Sequence, residues 1–115
     1  MATFSKIPLS GSTNGKSINV SASASTGTTL HVAQSGTSGL DELWLYANNS
    51  GSTTVKLTVE YGGTETKDQI EINIPGESGL VLVTPGLLLQ NSLTVSAFAG
   101  TANVISIHGF VNRVT

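Results

Sequence analysis

Gly11-Ser12-Thr13-Asn14-Gly15-Lys16-Ser17 carries the residue types of a phosphate-binding loop. The spacing is one residue short, and a strand-like pattern follows where that motif must open a helix whose N-terminus holds the anion. The segment therefore reads as a turn. His31, Asp41 and the Gly36-Thr37-Ser38-Gly39 stretch supply the residue types of a hydrolase triad. A nucleophile elbow needs Gly-x-Ser-x-Gly between a strand and a helix, and nothing here is helical, so Asp41 and Glu42 read as capping the turn into the next strand. His31 and His108 are the only histidines. Two imidazoles could share a metal, but no third ligand stands at motif spacing, and each lies in an alternating segment that makes it a polar-face or partly packed residue. Glu60, Glu65, Asp68, Glu71 and Glu77 crowd one region. Paired carboxylates hydrolyse glycosides and a loop of them suits calcium. Their alternation with apolar residues reads more simply as a solvated face.

Trp44 and Tyr46 fall on one side of their segment, with Leu43, Leu45 and Ala47 on the other. One side must face the core. The other is either covered from within the chain or exposed for a partner, and aromatics are frequent anchors of interfaces. Asn19-Val20-Ser21 and Asn48-Asn49-Ser50 match glycosylation acceptors, which carry no weight without a secretory leader. No combination of nucleophile, base and orienting group is recognisable, so the expectation is a chain that is not an enzyme and holds no cofactor or metal.

The elements that must position these residues are strands. Ala, Glu, Lys and Leu never combine over a helix-length window. β-branched residues instead alternate with small polar ones between Gly, Asn and Pro. Strands are expected at 5–9, 17–22, 28–34, 42–47, 54–61, 69–74, 79–83, 92–99 and 104–114. Val55, Leu57, Val59 and Tyr61 share a face, with Lys56, Thr58 and Glu60 opposite. Ile105, Ile107 and Val111 oppose Ser106 and His108, and Gly109 suggests a bulge. Asn14-Gly15, Asn48–Gly51 and Gly62-Gly63 supply turn residues, and Pro75-Gly76 and Pro85-Gly86 read as strand ends. Turns at such intervals indicate an all-β, two-sheet antiparallel β-sandwich of eight or nine strands, jelly-roll or immunoglobulin-like. Residues 1–15 read as an N-terminal arm or edge segment and 16–115 as one sandwich domain, with 21–29 a small-residue edge and loop.

Composition narrows the function classes. Charged residues are 10% of the chain, against about 25% in an average soluble domain. Neutral Ser, Thr, Asn and Gly fill the polar fraction, which suits a surface that is largely covered in use. The net charge is −2 and the five basic residues are scattered, so nucleic acid, which needs clustered Lys or Arg, is not an expected partner. No run approaches the ~20 apolar residues of a membrane span, and there is no basic amphipathic helix for a membrane surface. Cysteine is absent, so the chain is not expected to need an oxidising compartment.

The segments Asp41-Glu42-Leu43-Trp44-Leu45-Tyr46-Ala47-Asn48 and Val55-Lys56-Leu57-Thr58-Val59-Glu60-Tyr61-Gly62-Gly63, then Ile74-Pro75, Gly79-Leu80-Val81-Leu82-Val83 and Pro85-Gly86, carry a further likeness. So do Val95-Ser96-Ala97-Phe98-Ala99 and Val104-Ile105-Ser106-Ile107-His108-Gly109-Phe110-Val111-Asn112-Arg113. Together they resemble small virion structural proteins of tailed phages, notably marine bacteriophages. The resemblance implies a β-sandwich subunit, a capsid decoration (cement) protein on the capsid exterior, assembled in the host bacterial cytoplasm. Its implied partners are the major capsid protein and copies of itself, with a trimer natural at three-fold positions. Another virion role (head-fibre base, neck or tail) and a carbohydrate-binding sandwich are the alternatives. The expected contact residues are Ile7, Pro8 and Leu9 in the arm, with Trp44 and Tyr46. Deleting residues 1–12 is then expected to weaken capsid binding and leave the sandwich folded.

Overall fold

The computed structural model describes residues 2–115. The strands are β1 (Phe4–Pro8), β2 (Ile18–Asn19), β3 (Thr28–Val32), β4 (Leu40–Asn49), β5 (Val55–Tyr61), β6 (Gln69–Ile74), β7 (Val81–Leu89), β8 (Thr94–Ala99) and β9 (Ile105–Val114). One 3₁₀ turn, Thr66–Asp68, precedes β6. The first sheet runs β1-β9-β4-β7, with β2 also on β9, and the second runs β3-β8-β5-β6; every pairing is antiparallel.

The pairings are nested. β5 pairs β6, β4 pairs β7, β3 pairs β8, and β1 and β2 pair β9. The chain is thus one long hairpin rolled into two sheets, which is the jelly-roll arrangement, with its first strand broken into β1 and β2. Of the two sandwich types expected, the immunoglobulin-like one is excluded by this nesting. Phe4–Pro8 pairs along its length with β9, and Thr3 and Thr115 exchange backbone hydrogen bonds of 2.9 Å.

The core lies between the sheets. Leu43, Leu45 and Ala47 of β4, Leu57 and Val59 of β5, Val95, Ala97 and Ala99 of β8, and Ile105, Ile107 and Val111 of β9 are buried. β4 alternates between buried and half-buried over all ten residues, the pattern of a strand with one face on a core.

Two expectations about β7 and β9 change. Pro85-Gly86 does not end its strand. Pro85 pairs with Trp44, Leu87 pairs with Leu43, and Gly86 is the extra residue between them, at φ +80°. β7 tolerates the missing N–H because it is an edge strand, and the positive φ of Gly86 absorbs the bulge. Gly109, by contrast, is no bulge, since β9 pairs β4 without interruption from Leu40↔Val114 to Asn49↔Ile105. A Cβ there would stand 2.2 Å from the Trp44 carbonyl oxygen, so the glycine serves close backbone approach.

Candidate functional site

His31 and Asp41 do meet. The His31 Nε2 to Asp41 Oδ2 distance is 2.7 Å, and both residues are fully buried. The Ser10 backbone N–H donates to His31 Nδ1 at 2.9 Å. Nδ1 is therefore an acceptor, and Nε2 carries the proton donated to Asp41. Arg113 closes the cluster with Nε to Oδ1 and Nη2 to Oδ2, each 2.8 Å. Gln34 adds its backbone N–H, and its amide also reaches the Leu40 and Val114 carbonyls.

Burial pushes the Asp41 carboxyl up, but the bonds from Arg113 and His31 outweigh it and hold the group below the usual carboxylate range. This arrangement resembles half of a triad in composition only. The imidazole nitrogen that would serve a nucleophile is occupied by a backbone amide, so no hydroxyl can be activated there. The cluster is a clamp instead. His31 belongs to the second sheet, Asp41 and Arg113 to the first, and Ser10 to the segment after β1. Two expectations are corrected. His31 is wholly buried, neither on a polar face nor only partly packed, because β3 bulges between Thr29 and His31 and turns Leu30 and His31 both inward. Asp41 is an inter-sheet anchor and not a turn cap.

Glu60 overturns the solvated-face reading of the carboxylates. It is 1% exposed. Its carboxylate accepts from the Ser25 hydroxyl, the Gly27 N–H at 2.8 Å and the Ser96 hydroxyl at 2.9 Å. Burial raises its pKa and these donors lower it further than burial raises it. The small-residue segment before β3 approaches the second sheet closely at Gly27, where a Cβ would come within 2.3 Å of the Ala97 oxygen. Glu71 pairs with Lys56 at 2.7 Å, and Lys67 lies 3.5 Å from Glu65 and 3.1 Å from Asp68. Among the described residues, no three His, Asp or Glu side chains gather in a metal-holding group. His31 lies in the core and His108 on the outer side of the first sheet, so the two cannot share an ion. Asn14-Gly15 makes a turn at φ 55° and 84°, leading to β2 rather than a helix.

The expected contact residues divide. Leu9 is 1% exposed and belongs to the core, so it is withdrawn as a partner contact. Ile7 is half-buried against that core, while Pro8 is exposed. Trp44 and Tyr46 are half-buried on the outer face of the first sheet. There Trp44 and Phe110 stack with centroids 6.1 Å apart and planes 8° from parallel, and Lys6 Nζ lies 5.0 Å from the Phe110 centroid. Trp44 Nε1 donates to Glu42 Oε1 at 2.6 Å, and Asn112 Nδ2 donates to the same oxygen at 3.0 Å. These bonds lower the Glu42 pKa. Phe4, Lys6, Leu40, Glu42, Asn112 and Arg113 border an open hollow at the end of this face.

Leucines that periodicity did not single out lie along β7 and just before it. Leu80 is 59%, Leu82 46% and Leu88 56% exposed. No Asp, Glu, Lys or Arg occurs between Glu77 and Arg113, which is the signal that could have marked this edge.

No family model matches the sequence. No curated protein matches it. Among solved structures, the chain is similar to an exo-β-1,3-galactanase of Phanerochaete chrysosporium, crystallised with galactose, at 19% identity and a TM-score of 0.46. The match covers 96% of this chain and 26% of that one, so this chain spans about a quarter of that enzyme. A likeness of this degree carries no argument about activity or ligand. The fold stands on its own topology: a two-sheet, all-β antiparallel sandwich.

Proposed function

We propose that the chain is a structural subunit of a virus particle, a decoration protein that seats on the capsid shell and binds the major capsid protein. The observation that carries this reading is the uncharged, leucine-lined β7 edge. Exposed apolar side chains concentrated on one edge strand mark a surface built to be covered. The Pro85-Gly86 bulge interrupts that edge as a template for strand pairing, so its leucines act by side-chain packing on a partner. The buried His31–Asp41 pair is committed to holding the sheets together, which supports a role without chemistry. The likeness to tailed-phage virion proteins supplies the partner class.

The test is occupancy on the particle. Leu82→Asp with Leu88→Asp should abolish binding to purified capsids while the circular dichroism spectrum and melting curve persist. Unchanged occupancy would remove the β7 edge from the mechanism. Imaging the native assembly separates decoration, which places copies over the whole lattice, from a neck, tail or fibre-base role, which confines them to one ring or vertex.

A further inference from the structure

The outer face of the first sheet carries two rows that read across its strands. In one, Pro8, Phe110, Trp44 and Pro85 stand in register on β1, β9, β4 and β7. In the next, Lys6, Asn112 and Glu42 stand on β1, β9 and β4. Lys6 and Glu42 are the only formal charges at the outward positions of these four strands. They are of opposite sign and flank β9 symmetrically, each one strand spacing of ~4.8 Å away.

We infer that this face pairs with a second copy of the chain, about a two-fold axis that lies in the interface and runs along β9. Rotation about that axis preserves position along the strands and exchanges the strands on either side of β9. β1 of one copy then lies over β4 of the other. Lys6 meets the second copy's Glu42, and Glu42 meets the second copy's Lys6. Pro8 packs on the second copy's Trp44, and Phe110 and Asn112 meet their own equivalents near the axis. The face is thus self-complementary in charge and in the register of its side chains, as an isologous contact requires. Shifting the axis to lie between β9 and β4 would set Lys6 over Leu88 and bury an ammonium against an apolar side chain, which the desolvation cost of an unpaired charge disfavours. The pre-formed bonds from Trp44 and Asn112 to Glu42 fix its carboxylate before association, so little side-chain entropy is lost there. β7 lies outside the overlapped strands and keeps its leucines free. The pairing goes beyond the particle role above and does not require it.

Sedimentation equilibrium of the full chain tests it. The wild type is expected to sediment as a dimer. Lys6→Glu places two like-charge contacts in each dimer and should raise the dissociation constant at least about tenfold. Lys6→Glu combined with Glu42→Lys should restore the dimer, and Lys56→Glu, on the second sheet, should leave it unchanged. Trp44 is the only tryptophan, so its emission should shift to the red as the wild type is diluted. Thermal melts of each variant separate lost pairing from lost folding. A wild type that is monomeric at every concentration overturns the proposal. So does a dimer or trimer indifferent to Lys6→Glu, emission independent of concentration, or a folded double variant that stays monomeric.

Discussion

The cluster of His31, Asp41, Arg113 and Ser10 shows how residue types that could do chemistry become structure. Its members are saturated by one another, and among the described residues no buried side-chain polar atom lacks a partner. Removing one member strands the rest. Asp41→Ala leaves an imidazole and a guanidinium facing an apolar gap and should cost about 3–5 kcal/mol, read from the urea midpoint. The same groups set the acid limit of the fold. Asp41 and Glu60 both hold folded-state pKa values below their ordinary 3.8 and 4.5. Their ionised forms therefore favour the folded chain above those ordinary values, and that contribution is lost as pH falls through the lower folded-state ones. Stability should be insensitive to these groups near neutrality and decline below about pH 4. Asp41→Asn, though less stable at neutral pH, should show a shallower decline when urea midpoints are followed against pH.

At the scale of elements, irregularities do as much as the regular ladder. β7 gains two extra residues against β4, with register shifts between Leu43 and Trp44 and between Leu45 and Tyr46. Between these shifts the Thr84 hydroxyl stands in for the ladder. It donates to the Leu43 carbonyl and accepts from the Leu45 N–H, both at 3.1 Å, and is wholly buried. Thr84→Val keeps the shape and leaves both backbone groups unpaired, at a cost of about 1–3 kcal/mol. Hydrogen exchange at the Leu45 amide should accelerate more than at its β4 neighbours. Gly109→Ala tests the approach of β9 to β4, where the added carbon would meet a backbone oxygen that cannot step aside. Overpacking of this kind should lower stability by about 1–3 kcal/mol, measured by thermal melting.

For the whole molecule, the nested hairpin joins the two ends of the chain. β1 covers the C-terminal half of β9 and β2 part of its N-terminal half, so the first sheet depends on residues far apart in sequence. Deleting residues 1–12 strips Leu9 from the core, removes the Ser10 amide from His31 and uncovers the edge of β9. The expectation that this deletion spares the sandwich is therefore reversed. The truncated chain should lose cooperative melting by circular dichroism and run as aggregate on gel filtration, because an exposed β edge pairs with other chains. A truncated chain that melts cooperatively near the wild-type temperature would show that β1 is dispensable.

The number of strands and the placement of most of them were legible in the sequence, because side-chain alternation and turn chemistry are local, though β2 shrinks to Ile18–Asn19 and β7 runs on to Leu89. Val55 to Tyr61 and Gln69 to Ile74 fall where periodicity places them, and Leu43, Leu45 and Ala47 take the core side of β4 as their spacing requires. What alternation could not reveal are positions where the chain breaks its own period. The β3 bulge carries His31 inward, and the Gly86 bulge lets β7 run past Pro85. A covering loop buries Glu60 on a face that alternation assigns to water. The choice of jelly roll over immunoglobulin topology, the burial of Leu9 and the joining of His31, Asp41 and Arg113 were decided by the tertiary structure alone. Each depends on which distant strands become neighbours, and local periodicity carries no record of that.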